Sequence, residues 1–378
     1  MEFCVLLFVL LLLIFLQNRL FGKYAFRNLK YQCYLSKTEV FEGEEIELVE
    51  EITNRKWLPI PWLKSELNTS KWLDFAGSQS VVTGESRFVP SFFMVKSYRK
   101  VTRKWKVVCL KRGIFQIDKV ILVSTDLLGN VSQSHSVDPG NSTVTVLPTP
   151  CNLNQLFFSP THLMGDILVK RRFVEDPFYI AGVKEYTGRE PMHNIHWKAT
   201  AKEQKVMVFH NEYTSSQSLS VILNIESREF EQGSVIDQSV IELAIKVCAC
   251  LFDHTLAIGI PVRFSTNSNL SGQREPMIST RSGGQEHVRS LLRLLAGLEI
   301  SSNMDFTSFL PTVPEDATDF VLVSAYLSEA MISFARRQKS QGRQVKLLIL
   351  EVLEANSIPE DLEVYCLYEL RRAQGGAQ

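Results

Sequence analysis

The chain has 378 residues, 45 % hydrophobic and 22 % charged, which fits folded globular protein of about two or three domains and excludes a disordered chain. Basic and acidic residues balance at 41 each, so no global charge draws it to nucleic acid. The seven cysteines are irregularly spaced without a C-x-x-C, which argues against a disulfide framework or zinc knuckle and favours reduced, buried thiols.

Phe3 to Leu16 is an unbroken apolar run, extended by Leu20 and Phe21. It is short against the roughly 20 residues of a membrane span, a length a signal peptide also has. A signal peptide's basic start and small-residue cleavage site are missing, however. Arg19, Lys23, Arg27 and Lys30 follow, with no acid among them. The positive-inside rule then predicts a single signal-anchor helix over 1–22 with the soluble part in the cytoplasm.

Residues 31–149 read as β. In Glu45 to Ile52 the apolar Ile46, Leu48 and Ile52 share one face with glutamates interleaved, the period of a half-buried strand. Val101 to Leu110 places Val101, Trp105, Val107 and Cys109 on one face, and Lys111-Arg112-Gly113 turns the chain. Ile114 to Ser124 and Ser142 to Leu147 are further strands, separated by a turn at Asp126 to Gly129. Short strands between such turns predict an immunoglobulin-like β-sandwich. Arg99 to Arg112 carries Arg99, Lys100, Arg103, Lys104, Lys106, Lys111 and Arg112 without an acid. It is either a solvated strand face or a surface for anionic lipid.

Leu147-Pro148-Thr149-Pro150 reads as a linker, and 150–218 as an irregular connecting segment. From 219 to 372 strand and helix alternate: strands at Leu219–Ile225, Ala257–Phe264, Phe320–Ser324, Lys346–Leu350 and Val364–Leu367, and helices at Ser234–Asp253, Gly284–Ala296 and Glu329–Ser340. This alternation predicts an α/β domain with a mostly parallel sheet, whose ligand crevice lies at the carboxyl ends of the strands. Gln374 to Gln378 read as a frayed end.

Gly182 to Tyr213 is the most polar and aromatic stretch. Gly182, Lys184, Glu185, Tyr186, Ile195, Trp197, Lys198, Thr200, Ala201 and Lys202 fit the hallmark G-x-x-(R/K)-E-Y…I-x-W-K-x-(S/T)-A-(R/K). By these residues the chain resembles the bacterial domain-of-unknown-function family 58. It departs between Tyr186 and Ile195, where Arg189-Glu190 replaces Gly-Asp and His193 falls near the expected arginine. The apolar N-terminus, the Lys-Arg-Gly turn, the Asp126–Gly129 turn and the C-terminal sheet extend the likeness over nearly the whole chain. Many members carry two membrane helices where this chain has one apolar run.

The resemblance implies a C-terminal domain similar to the von Willebrand factor A fold, whose first strand ends in a cation-binding D-x-S-x-S. Here Asn224-Ile225-Glu226-Ser227-Arg228 stands instead, so Asn224, Glu226 and Arg228 mark a degenerate metal site, and Thr307 and Ser324-Ala325 take the distant positions. No metal or other cofactor is expected. His193 and His196, with Glu190 or His210, are the residues a zinc hydrolase would use. No G-x-S-x-G, Walker or dinucleotide motif occurs. Lys184, Glu185, Tyr186, Arg189, His196, Trp197 and Lys198 form an expected interaction motif, with Trp197 either presented to a partner or packed inward while Lys198 pairs Glu185. The resemblance implies a membrane-anchored, non-catalytic adaptor working with a MoxR-type AAA+ ATPase. The alternatives are a divalent-cation-dependent adhesion-type protein and a zinc hydrolase.

Overall fold

The computed structural model describes residues 2–126, 132–140, 142–151, 175–188, 192–213, 218–229, 231, 233–270, 276–302, 304–350 and 359–366. Residues Met1–Pro150 with Arg289–Glu299 form one compact unit, and Cys151–Val288 with Ile300–Gln378 a second.

The first unit begins with helix α1 (Glu2–Tyr24), in which Val5–Tyr24 is long and apolar enough to cross a membrane. Twelve strands follow: β1 (Leu29–Leu35), β2 (Glu39–Phe41), β3 (Glu45–Asn54), β4 (Ile60–Ser70), β5 (Leu73–Phe75), β6 (Val81–Thr83), β7 (Ser86–Val95), β8 (Lys100–Cys109), β9 (Gly113–Gln116), β10 (Lys119–Thr125), β11 (Ser132–Val137) and β12 (Thr143–Leu147). Among the described residues they make sheets of order β1-β3-β8-β5, β11-β10-β4-β7-β6 and β2-β12-β9. The inner faces share one core. Leu48, Ile52, Leu73 and Val107 come from the first sheet, Leu63, Leu67, Val89 and Val120 from the second, and Val144 and Val146 from the third. A period-two strand buries every second side chain, so two such sheets must close face to face, and this is a β-sandwich.

Arg112, in the Lys-Arg-Gly turn, is buried, and its guanidinium donates to the carbonyls of Leu295, Ala296 and Leu298 at 2.7, 3.3 and 3.1 Å. Glu39 accepts from Arg289 and Arg293. Burial alone would raise the Glu39 carboxyl, but the two guanidinium groups hold it below its ordinary range.

The second unit opens with an antiparallel hairpin of β13 (Glu175–Glu185) and β14 (Met207–Tyr213), spanned by the short helix α2 (Trp197–Glu203). A segment expected to be irregular thus contains a paired hairpin; the bulges in β13 break the alternation that would have announced a strand.

Beyond it, β15 (Leu219–Leu223), β17 (Val262–Thr266), β19 (Met277–Ile278), β21 (Asp319–Ser324), β22 (Gln344–Ile349) and β23 (Glu363–Cys366) form a sheet of order β19-β17-β15-β21-β22-β23. All its pairings are parallel except that of the edge strand β19. Counted within the sheet this is the doubly wound order 3-2-1-4-5-6. Strands β16 (Gly233–Ser234), β18 (Ser268–Leu270) and β20 (Leu298–Ser302) form a small separate sheet.

Helix α3 (Gln238–Ile258) is capped by Asp237, which accepts from the Ser239 and Val240 amides, and stops at Gly259, whose φ of 77° suits glycine. The strand expected from Ala257 starts only at Val262, because no breaker precedes Gly259 and the helix runs on to it. Helices α4 (Gln285–Gly297), α5 (Phe306–Phe309) and α6 (Glu329–Ser340) complete the described helices. Phe306, Phe309, Phe320, Met331 and Phe334 fill the core on one side of the sheet.

Candidate functional site

In a doubly wound sheet the crevice opens where the strand order reverses, here between the carboxyl ends of β15 and β21. The Asn224 amide nitrogen donates to Ser324 Oγ across that gap at 3.1 Å, and Asn224 Oδ1 accepts the Glu226 N–H at 3.0 Å. Asn267, just after β17, accepts the Ile225 N–H at 2.9 Å.

Glu226 sits at the centre, fully buried. One carboxyl oxygen accepts the Phe306 N–H at 2.7 Å and the Asn267 amide at 3.0 Å. The other accepts the Tyr326 hydroxyl at 2.6 Å. Burial pushes the Glu226 carboxyl above its ordinary range, more than the Tyr326 and Phe306 hydrogen bonds pull it down. The Tyr326 hydroxyl is raised too, by burial and then by Glu226. The carboxyl therefore ties together the ends of β15, β17 and β21 and the start of α5. A cation between strand tips would make the same links with opposite polarity, drawing in oxygen atoms where Glu226 draws in N–H and O–H donors.

Asn224 and Glu226 are thus brought together, but Arg228 is not. Arg228 is exposed and lies toward Asp237, whose carboxyl is held low by the Ser239 hydroxyl, then by backbone N–H groups and Arg228. What fills the crevice is Glu226, not the Arg228 cation that the sequence suggests. Thr307 is exposed, one residue beyond the amide that Glu226 holds. Sequence reasoning missed Asn267, Tyr326 and Glu231. Glu231 accepts the Ser227 and Ile236 amides at 2.7 and 2.5 Å, which outweigh the burial that would raise it. The available signal was positional for Asn267 and Tyr326, which lie one and two residues beyond the carboxyl ends of β17 and β21.

The interaction motif lies on the hairpin. His196 caps α2, its Nδ1 accepting the Ala199 N–H at 3.0 Å, and its ring lies 4.5 Å from that of Phe209. Thr200 accepts the Met207 N–H at 2.9 Å and so ties α2 to β14. Trp197 is 71 % exposed and Lys198 is exposed beside it, so the inward alternative for Trp197 does not hold. Glu185 pairs with Lys205 at 3.3 Å rather than with Lys198. Tyr186 is half-buried and donates its N–H to Val206; Lys184 faces Val208 in the register. Arg189, Glu190 and Gly129 lie outside the described residues, as do the side chains of His193 and His210. Among the described residues no three His, Cys, Asp or Glu side chains gather as metal ligands.

A second buried carboxyl went unnoticed in the sequence. Glu50 has the same strand parity as Ile46, Leu48 and Ile52 and points into the sandwich. It accepts Tyr31 at 2.9 Å and Ser65, Ser91 and Trp105 Nε1 at 2.7 Å each, so donors from both main sheets meet on one side chain. Burial, then Glu50, pushes the neighbouring Cys33 thiol up to about 12. In the basic strand β8, Lys100, Lys104 and Lys106 pair with Glu51, Glu47 and Glu45 at 2.7, 2.9 and 3.2 Å, so three of the four basic residues of that strand are spent on its partner strand.

No family model matches the chain, and no curated protein does. Among solved structures, the CARDB domain of a Pyrococcus furiosus protein in complex with di-metal ions is 10 % identical, covering 32 % of this chain and 96 % of its own, at a TM-score of 0.20. A non-cellulosomal cohesin of Archaeoglobus fulgidus is 14 % identical over 33 % of this chain and 96 % of its own, at 0.22. The sporulation control protein Spo0M of Bacillus subtilis is 14 % identical over 32 % of this chain and 49 % of its own, at 0.18. All these scores are below 0.5; the immunoglobulin-like sandwich rests on its own strand order and shared core.

Proposed function

We propose that this chain is a single-pass bacterial membrane protein with its soluble units in the cytoplasm. It acts there as a non-catalytic adaptor, its second unit a von Willebrand factor A-like domain that recognises partners without a cation. The observation that carries this reading is Glu226: a buried carboxyl, held by three donors, occupies the switch-point crevice where such a domain would coordinate its ion. A crevice closed from within leaves exposed side chains to do the recognition. The exposed pair Trp197 and Lys198, held in place by the His196 cap and the Thr200 link, supplies a rigid aromatic anchor beside a charge. A MoxR-type AAA+ ATPase is the partner that the family resemblance supplies.

Affinity purification of the full chain from membranes, with and without ATP, tests this reading. Recovery of an AAA+ ATPase that depends on nucleotide and is lost in Trp197→Ala supports it. Failure to recover any ATPase with the anchor intact refutes the partner. A thermal shift with magnesium, calcium or manganese that Asn224→Ala abolishes would replace the adaptor by the cation-dependent adhesion reading. A reporter fused after Gly376 that registers outside the cytoplasm reverses the topology.

A further inference from the structure

Three stretches of the first unit contain no acid: 17–31, 53–62 and 88–112. The fold brings parts of all three to the foot of α1. Lys56 donates its ammonium to the carbonyls of Ala25 and Arg27, and the Arg55 N–H donates to Asn28 at 3.0 Å. The Tyr98 N–H donates to the Lys56 carbonyl at 3.2 Å, and Ser97 Oγ to that of Trp57. The loop between β3 and β4 and the turn between β7 and β8 are therefore stitched to each other and to the chain leaving α1.

The sandwich also rises alongside α1. Gln17 donates to Asp126 at 3.1 Å and Gln133 to the Gly22 carbonyl at 2.6 Å, and Phe21 is buried. Asp126 directly follows Thr125, whose cross-strand partner is Trp62. Trp57, Trp62 and Tyr98 are 63 %, 58 % and 69 % exposed, and Tyr98 holds a left-handed φ of 53° that costs a non-glycine residue energy. Arg55, Lys96 and Arg99 are exposed among them, and among the described residues no acid pairs with any of the three.

The length of the apolar run decides what covers this rim. The unbroken run Phe3 to Leu16 reaches about 21 Å as a helix, so a hydrocarbon core of about 30 Å also takes in the turns that follow it within the Val5–Tyr24 span. Those turns of α1 are the ones flanked by Asp126 and Gln133, so the rim at its foot meets the headgroup layer. Tryptophan, tyrosine and unpaired basic side chains are the residues that layer favours. The acid there, Asp126, is buried and already bonded. We infer that Trp57, Trp62 and Tyr98, with Arg55, Lys96 and Arg99, seat the sandwich on the surface of an anionic phospholipid bilayer, fixing its orientation on the membrane that α1 enters. This inference rests on the anchor reading of α1, and it moves the lipid contact from strand β8 to the rim.

The full chain is reconstituted in vesicles of phosphatidylcholine, with or without phosphatidylglycerol, and tryptophan emission is quenched by brominated phosphatidylcholine. The expected result is a quenched component that shrinks in Trp57→Phe and in Trp62→Phe but persists in Trp197→Phe. All three positions are exposed, so these variants keep the fold. Arg55→Ala, Lys96→Ala and Arg99→Ala should each lower the ratio of seated to lifted sandwich about fivefold, in the phosphatidylglycerol vesicles only. Quenching unchanged in Trp57→Phe and Trp62→Phe, in a chain that resists carbonate extraction, overturns the inference and leaves the anchor standing. Trp57 shielded from aqueous acrylamide yet untouched by brominated lipid also overturns it, since a protein then covers the rim. A chain that carbonate strips from the vesicles sinks the anchor and the inference together.

Discussion

Replacing Glu226 with alanine orphans three donors, and their surroundings set the cost. The Phe306 N–H opens α5 and loses its acceptor outright. The Asn267 amide keeps the Met304 carbonyl at 3.2 Å, and the Tyr326 hydroxyl is only partly buried and can turn to water. A buried donor left unpaired costs about 1–3 kcal/mol, which puts the substitution at about 3 kcal/mol in all, most of it at Phe306. Glutamine should be nearly neutral. Its carbonyl oxygen can serve Phe306 and Asn267, and its amide can donate to Tyr326, whose hydroxyl turns from donor to acceptor. Amide hydrogen exchange reads this locally: Phe306 should exchange about a hundredfold faster in Glu226→Ala and at the wild-type rate in Glu226→Gln. The pH dependence follows from the raised carboxyl. Between the unfolded value of about 4.3 and the higher folded one, the native state holds a proton that the unfolded chain has lost. That contribution is complete below the window and lost as pH rises through the folded value. Stability of Glu226→Gln relative to wild type should therefore grow with pH across the window. An unchanged Phe306 rate in the alanine variant, or a flat difference from about pH 4 to 8, would refute the claim that Glu226 holds the strand ends together.

In the sandwich, Glu50→Leu leaves Tyr31, Ser65, Ser91 and Trp105 without their acceptor and should cost about 3–5 kcal/mol in urea denaturation of the solubilised chain; a loss under 1 kcal/mol would mean the hydroxyls re-pair among themselves. Arg112→Ala removes charge-assisted bonds to three carbonyls and should cost about 2–4 kcal/mol, whereas Lys111→Ala should change stability little, and equal effects would contradict the role given to the buried guanidinium.

The fold was legible wherever one physical rule governed a stretch. The core parity of Ile46, Leu48 and Ile52 and the helix Glu329–Ser340 follow from spacing alone, and α6 has the expected bounds. Legibility failed where a second rule cut across the first. The carboxyl of Glu50 reads as one of several solvent-facing glutamates until its parity is counted. Ala257 and Ile258 read as the start of a strand, yet helix hydrogen bonding persists to the first glycine. At the switch point, Asn224 and Glu226 could be flagged as departures from a cation motif, but nothing local announces that Asn267, Phe306 and Tyr326, some 41, 80 and 100 residues away, would supply their partners.

The sequence alone determined the apolar helix with basic residues behind it, the change from period-two to strand–helix alternation, and which residue types stand at the strand ends. These are local properties, set by spacing and charge along a few turns or strands. Only the tertiary structure decided what the polar residues do. Whether a carboxyl is a solvated charge or a buried crosslink depends on donors that arrive from distant strands. Whether three acid-free stretches meet in one rim depends on loops being stitched to the foot of α1, and no single stretch of chain contains that information.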